Sequence, residues 1–375
     1  MRFEPADLSL QVSIPQLYLK RDPRGWVDPE LWDDGITAAR LGYSISHQRF
    51  QSPGSRSERS SALLDIGVNV GGWRLRDAGF LSANGGQPLT YSAGTTYAQR
   101  SLPRWGMQLT VGEASTRGDL FTGVSYSGVN ISTDPRMLPD SQRDYAPVIR
   151  GVAQGNATVI VRQRGRVLYQ TTVVAGPFVI DDLSGTGYAG DLEVEVTEAD
   201  GQVQQFTVPF AALPQLLRAG QQRVDATLGT VRDASLHDAP GFAELALRRG
   251  VSNSVTALGG LTAAPGYAAV VFGGALNTRM GAFSGDVTVA RTALPGTQMS
   301  GQSYRLAYSR NFLETGTQLS LAAYRYSTSG YLDMGDALRL RQSLSAGGAT
   351  PDLARQRSRL DLSLNQRIGD HGMLY

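Results

Sequence analysis

The chain is predicted to be all-β: a transmembrane antiparallel β-barrel carrying one small β-sandwich as an insert. Three observations predict it. Apolar residues alternate with small or polar ones over segments of about 10 residues, the length a tilted strand needs to cross a bilayer. The connections between these segments alternate between short and long. A stretch of shorter, turn-dense strands, residues 145–210, interrupts the array.

The bulk numbers agree. Charged residues are 18% of the chain, below the ~25% usual for soluble domains, and its 44 glycines exceed the usual ~7%. A formal net charge of +2 is too balanced to point to nucleic acid. With no cysteine, disulfides and thiolate metal sites are excluded from these residues. No run approaches the ~18 apolar residues of a membrane helix, which leaves strands as the means of crossing. Glu4 and Asp7 interrupt any apolar core of a secretory signal, so an exported protein of this kind is expected to be part of a longer one.

Taken in order, Leu8, Leu10, Val12 and Ile14 alternate with polar neighbours and stop at Pro15, which predicts one strand. A lone strand does not fold, so its partners are expected upstream of Met1. Pro23, Trp26 and Pro29 then punctuate an extended linker. From Ile36 the array begins. Leu64, Ile66, Val68 and Val70 share one face against Asp65, Gly67, Asn69 and Gly71. The same alternation returns at Tyr304, Leu306 and Tyr308, and at Leu360, Leu362 and Leu364. Small polar residues on the second face suit a wet lumen. About six strands fit between Ile36 and Arg143.

After the insert, strands are predicted near 221–232, 242–250, 255–263, 267–277, 282–291, 302–310, 317–327 and 355–367. The connections between them read long (Asp233–Gly241), short (Val251–Ser254), modest (Ala264–Gly266), short (Thr278–Gly281), long (Thr292–Gly301), short (Asn311–Gly316) and very long (Thr328–Ala354). Such sidedness is expected of an outer-membrane barrel, with tight periplasmic turns and larger external loops. Six strands before the insert return the chain to the rim where it began, so the insert is expected to hang from the periplasmic rim.

The insert reads differently. Val159 and Val161 lead to the turn Arg164-Gly165-Arg166, and Val167 and Tyr169 return from it. Pro177-Phe178-Val179-Ile180 follows. Leu192, Val194 and Val196 then reach Asp200-Gly201, a strong hairpin signal, before Val203, Phe206 and Val208. Short strands with dense turns predict a small sandwich, and its place inside a barrel array predicts a plug.

Several ordered motifs carry a family resemblance. Met137–Ala153 (MLPDSQRDYAPVIRGVA), Ala175-Gly-Pro-Phe178, Gly190-Asp-Leu192 and Glu198-Ala-Asp-Gly201 resemble the outer-membrane fimbrial usher of chaperone–usher pathways. So do Pro29-Glu-Leu-Trp-Asp33 and Val70-Gly-Gly-Trp-Arg-Leu-Arg76. The resemblance spans nearly the whole chain. It implies a translocation pore and assembly platform for pilus subunits, with a plug set between barrel strands six and seven. The implied partners are periplasmic chaperone–pilus subunit complexes, fimbrial subunits, a tip adhesin and outer-membrane lipid, with no nucleic acid and no cofactor. It further implies four parts: residues 1–35 closing a periplasmic N-terminal domain and its linker, 36–144 the first barrel strands, 145–210 the plug, and 211–375 further strands that stop before the barrel closes.

No catalytic or metal-binding set stands out. Gly185-Thr-Gly187-Tyr-Ala-Gly190 matches a dinucleotide fingerprint, but the strand-like Asp191–Val196 follows it where a helix is required. Arg117-Gly118-Asp119 is read as structural rather than adhesive. His47, His237 and His371 have no ligand spacing. No enzymatic reaction is expected. The candidate functional residues are the plug linkers Asp144, Tyr145, Pro147, Pro209 and Pro214, and the charges Arg150, Arg162 and Arg164 where plug would meet wall. A passive outer-membrane porin with a constricting insert is the alternative, and a soluble carbohydrate-binding β protein is a third.

Overall fold

A computed structural model describes residues 2–4, 9–11, 22–53, 55–84, 88–163, 165–183, 191–208, 210, 213, 215–312, 317–346, 358–368 and 372–374. Strands β1 (Arg2–Glu4) and β2 (Ser9–Gln11) pair antiparallel, so one partner of the first predicted strand lies within the chain. A linker follows. It holds one 3-10 turn, Pro29–Leu31, started by Asp28, whose side chain accepts from the Glu30 N–H at 2.9 Å, and by a proline whose missing N–H costs nothing there.

The six strands expected before the insert form: β3 (Ala38–Ser52), β4 (Ser55–Val70), β5 (Trp73–Asn84), β6 (Thr90–Leu102), β7 (Met107–Ser115) and β8 (Ser125–Thr133). A short helix, α1 (Asp140–Arg143), leads into five strands and a sixth that form the insert: β9 (Ile149–Ala153), β10 (Ala157–Gln163), β11 (Arg166–Val173), β12 (Gly176–Ile180), β13 (Leu192–Glu198) and β14 (Val203–Val208). The array resumes with β15 (Gln222–Val231), β16 (Gly241–Gly250), β17 (Val255–Ala264), β18 (Tyr267–Thr278), β19 (Gly281–Leu294), β20 (Thr297–Phe312) and β21 (Thr317–Ser327). Helix α2 (Met334–Ser345), β22 (Ser358–Ile368) and the short β23 (Gly372–Leu374) complete the described elements.

One 15-stranded antiparallel sheet, open at β3 and β23, takes in every strand outside the insert and the β1–β2 pair. Each wall strand pairs with its neighbour in sequence, and at the insert β8 pairs directly with β15, Ile131 opposite Ala226. The meander therefore runs on as though residues 134–221 were absent. Its outer face is apolar and bare: Val270, Phe272 and Leu276 of β18 and Leu306 of β20 are 47–58% exposed, while the alternating Ala269, Val271 and Ala275 are at most 2% exposed. In water that outer face would be costly; against lipid it is the favourable side.

The connections depart from the expected alternation at one rim, where Pro265-Gly266 is a two-residue turn. At the rim from which the insert hangs, the turns are short throughout: 71–72, 103–106, 251–254 and 279–280. At the opposite rim, 116–124, 232–240 and 328–357 are long, but Thr292–Gly301 is not a loop. Strands β19 and β20 extend to 14 and 16 residues and meet in a two-residue turn, Pro295-Gly296, with Gly296 at φ +76°. That positive φ is what a tight hairpin turn asks of its glycine. Pro295-Gly296 is therefore the turn tip, and the residues flanking it are paired strand, up to Leu294 opposite Thr297.

Two apolar cores result. The first lies in the insert, where the sheet β11-β10-β13-β14 faces the pair β9–β12. Val159, Val161, Leu192, Val194 and Val196 point inward at 0–1% exposure toward Ile149, Phe178 and Ile180. Each such side chain contributes roughly 1.5–3 kcal/mol on burial. Gly151 stands opposite Phe178, and a Cβ there would lie 2.4 Å from the ring, so the ring needs the glycine to reach the core. The second core lies on the inner face of the wall. Here α2 packs its Met334, Ala337, Leu338 and Leu340 against Tyr267, Ala269, Val271 and Ala290, joined by Leu120 and Phe121 of the 116–124 loop. The inner face is thus partly filled by chain rather than wholly wet.

Candidate functional site

Both ends of the insert are fastened at one place on the short-turn rim. Approaching it, α1 gives way to Asp144, exposed but with its carbonyl engaged. Tyr145 follows at 7% exposure, its ring 6.0 Å from that of Phe210 where the insert ends. The Tyr145 hydroxyl donates to the Asn253 carbonyl at 2.8 Å and accepts from Asn277 Nδ2 at 2.9 Å. Pro147 is buried beside it, with no N–H to leave unpaired. The next residue, Val148, is held by the Asn253 side chain in both directions, N–H to Oδ1 at 2.6 Å and Nδ2 to carbonyl at 3.0 Å. Asn253 sits in the 251–254 turn of the wall, so its amide acts as one rung of a sheet ladder.

The chain leaving the insert docks on the same part of the wall. The Leu217 N–H donates to Thr256 Oγ1 at 2.9 Å. Gly220 N–H donates to the Gly250 carbonyl, and Gly250 N–H to the Gln221 carbonyl, each at 2.9 Å. Gly250 is needed for this crossing, since a Cβ there would sit 1.9 Å from the Arg218 carbonyl oxygen.

Arg218 ties the two linkers and the insert together. It is 4% exposed, and its guanidinium donates to three backbone carbonyls: Asp144 at 2.9 Å, Asp181 at 3.0 Å, and Leu183. Burial pushes the guanidinium below its ordinary value, opposed by the negative charges of Asp182, Asp181 and Asp144. A guanidinium starts so far above neutrality that it stays charged, and a buried charge demands those carbonyls. Burial likewise pushes the Tyr145 hydroxyl up to about 12.

A second arginine reaches the insert from the N-terminal linker. Arg24 Nε donates to Asp182 Oδ2 at 2.7 Å, its backbone N–H donates to the same oxygen at 3.2 Å, and its NH2 donates to the Asp182 carbonyl at 3.0 Å. The guanidinium carbon also lies 4.5 Å from the centre of the Tyr169 ring. All these fastenings lie at the rim, and among the described residues no strand of the insert joins the sheet of the wall.

Of the sequence-predicted residues, Asp144, Tyr145 and Pro147 converge here. Arg162 pairs with Glu195 inside the insert at 2.8 Å, and Arg150 is exposed on β9 beside Val179. Arg164, Pro209 and Pro214 lie outside the described residues, as does the Gly185–Gly190 fingerprint. Arg117-Gly118-Asp119 folds against the inside of the wall: Arg117 Nε is 3.2 Å from Asp225 Oδ2 and its NH2 donates to the Thr133 carbonyl at 2.9 Å, while Asp119 pairs with Arg248.

Sequence reasoning missed Arg218, Arg24, Asn253 and Asn277. Asn253 reads as an ordinary turn residue in Val251-Ser-Asn-Ser254. Arg218 left a faint signal, a single charge directly behind Leu216-Leu217 where a linker should be polar. Helix α2 also went unpredicted, although Met334, Ala337 and Leu338 recur at helical spacing and Asp333 caps the start by accepting from the Asp336 N–H at 2.8 Å.

The sequence profile described as outer membrane usher protein matches residues 61–375, and that of the PapC N-terminal domain matches residues 1–47. The chain is 36% identical over 388 residues to the outer membrane usher protein HtrE of Escherichia coli, covering 100% of this chain and 45% of the relative. It is 38% identical over 371 residues to MrkC, the outer membrane usher protein of Klebsiella pneumoniae, covering 97% and 45%. The chain thus spans about half the length of the curated relatives it matches. Among solved structures, the PapC usher translocation pore is similar with a TM-score of 0.56 at 30% identity, covering 88% of this chain and 70% of that one. An E. coli P pilus tip assembly intermediate, PapC-PapD-PapK-PapG, is similar with a TM-score of 0.69 at 32% identity, covering 98% and 46%.

Proposed function

The chain belongs to the outer membrane usher family, and on that premise we propose that it builds the wall and gate of a pilus translocation pore in the bacterial outer membrane. Residues 36–144 and 211–375 are wall, residues 145–210 the plug, and residues 1–35 the end of a periplasmic domain with its linker. The short-turn rim faces the periplasm. Fimbrial subunits and a tip adhesin arrive there in complex with a periplasmic chaperone and pass outward through the barrel. No covalent chemistry is assigned; exchange of strand donors between subunits supplies the driving force.

One observation carries this reading. The wall pairs β8 with β15 across the insert, and the insert's two ends meet at a single anchorage on the rim. A domain that interrupts no wall pairing, and whose other contact with the wall is apolar packing on Ala275, Ala282 and Ala307, is free to change position without opening the sheet. Asp144, Tyr145 and Pro147 form the leading linker at that point, and Arg218 holds it to the trailing one. Pro209 and Pro214 are assigned to the trailing linker. Arg150, Arg162 and Arg164 are assigned to the surface the plug turns toward the wall when it occupies the lumen.

Planar-bilayer recording of the intact gene product, with and without residues 145–210, tests the reading. A small conductance that rises sharply on deletion is expected. Equal conductance in both forms would remove the plug role and leave a porin with a passive insert.

A further inference from the structure

One three-residue segment of the insert, Asp181-Asp182-Leu183, is gripped from two sides by arginines that belong to the frame. From one side Arg218, in the trailing linker, takes the carbonyls of Asp181 and Leu183. From the other side Arg24, in the N-terminal linker, takes the carboxylate and the carbonyl of Asp182. The two grips differ in kind. Arg218 is 4% exposed and also holds the Asp144 carbonyl of the leading linker, so it is fixed to both hinges at once. The Arg24 side chain is 59% exposed, and the Asp182 side chain 15%. Arg24 is thus the solvent-facing member of its pair, and Asp182 the largely covered one.

We propose that Asp181–Leu183 is a catch that keeps the insert at the rim, with Arg218 as its permanent pivot and Arg24 as its releasable clasp. Three features make Arg24 the moving part. It is the exposed member. Its partner Asp182 is bound to the wall by no other side chain among the described residues, and Asp182 Oδ1 is buried without a hydrogen-bond partner there. Withdrawal of Arg24 therefore leaves a largely buried carboxylate without its hydrogen-bonded ion pair, with only the charge of Arg218 nearby, which destabilises the rim position itself. Finally, Arg24 belongs to the linker that joins the N-terminal β1–β2 pair to the first wall strand, so any pull on the N-terminal region acts on the clasp before it acts on the wall. The Tyr169 ring beneath the guanidinium adds a second contact that is lost in the same movement.

This inference rests on the pore reading above, and single-channel recording of the intact gene product separates the two. The readout is the fraction of time in the large-conductance state. Arg24→Ala and Asp182→Asn each lower that fraction about fivefold, the size expected of one partly exposed ion pair with a cation–π contact. The double variant lowers it no further than either single change. A disulfide between Arg24→Cys and Asp182→Cys, in a chain that has no cysteine among these residues, raises the fraction toward that of the form lacking 145–210, and reduction reverses the effect. If deletion of 145–210 opens the channel but the Arg24 and Asp182 variants leave the fraction unchanged, or act additively, or raise it, the clasp is refuted while the pore stands. If the deletion opens nothing, the pore reading falls and the clasp with it.

Discussion

Asn253 and Val148 are joined by two hydrogen bonds of opposite direction, 2.6 Å from the Val148 N–H to Oδ1 and 3.0 Å from Nδ2 to the Val148 carbonyl. A side-chain amide from a wall turn thereby substitutes for a neighbouring strand. The geometry uses the donor and the acceptor of the amide together, which few other side chains can supply.

Asn253→Asp keeps the acceptor and loses the donor, leaving the Val148 carbonyl facing a carboxylate. Asn253→Ala loses both. Each is expected to weaken the leading linker's hold by about 1–3 kcal/mol, with Asp no better than Ala despite its size. Hydrogen exchange at Val148 checks this, since its amide should become the most accelerated in the linker. Unchanged protection at Val148 would show that the amide contributes nothing.

Tyr145 makes the anchorage sensitive to alkaline pH. Its hydroxyl is pushed by burial to about 12, against an ordinary tyrosine value of 10.0. A group whose folded value is raised contributes its stability fully below the unfolded value and loses it as pH climbs through the folded one. The window is therefore pH 10 to 12, and roughly 3 kcal/mol is at stake. Thermal unfolding in detergent should show a midpoint that falls across that window in the parent. In Tyr145→Phe the midpoint should be lower at pH 8 and show a smaller fall.

Arg218 and Gly250 form one joint. Arg218→Met removes three charge-assisted bonds and strands the carbonyls of Asp144, Asp181 and Leu183, at an expected cost of at least ~3 kcal/mol to the insert's attachment. Arg218→Lys, with its charge but no planar fork, should recover less than half. Gly250→Ala drives a methyl into the Arg218 carbonyl and should cost about 1–3 kcal/mol through displacement of the trailing linker. Limited proteolysis within 215–221 reads all three. Equal resistance of Arg218→Met and the parent would contradict the joint.

At the far mouth, α2 is held to the wall by apolar contact and pinned by Arg339, which reaches Asp233 at 2.9 Å and Asp336 at 2.7 Å. Leu338 is 5% exposed, and Leu338→Asp would place a charge in that contact. The helix should detach, and conductance in the form lacking 145–210 should rise further, because α2 then no longer narrows the lumen. Arg339→Ala should do far less, about 0.5 kcal/mol, because the ion pair is partly exposed. A null effect of Leu338→Asp would mean the helix does not constrict the pore.

The residues themselves settled most of the strands, the six before the insert, and the insert's own hairpins. Those features follow from alternation and turn chemistry, which act between residues one to four apart: Val194 and Val196 face one way whatever the rest of the chain does, and Asp200-Gly201 turns wherever it stands. Other features needed the third dimension. The pairing of β8 with β15 joins Ile131 to Ala226, and the Arg218 joint joins residues 74 positions apart. No local period announces which carbonyls a buried guanidinium will meet, because that depends on where the wall has already placed the two linkers. Helix α2 folded where a long loop was expected for the same reason: its apolar face is stable only against Tyr267, Val271 and Ala290, and only the pairing of β18 with β19 brings those together.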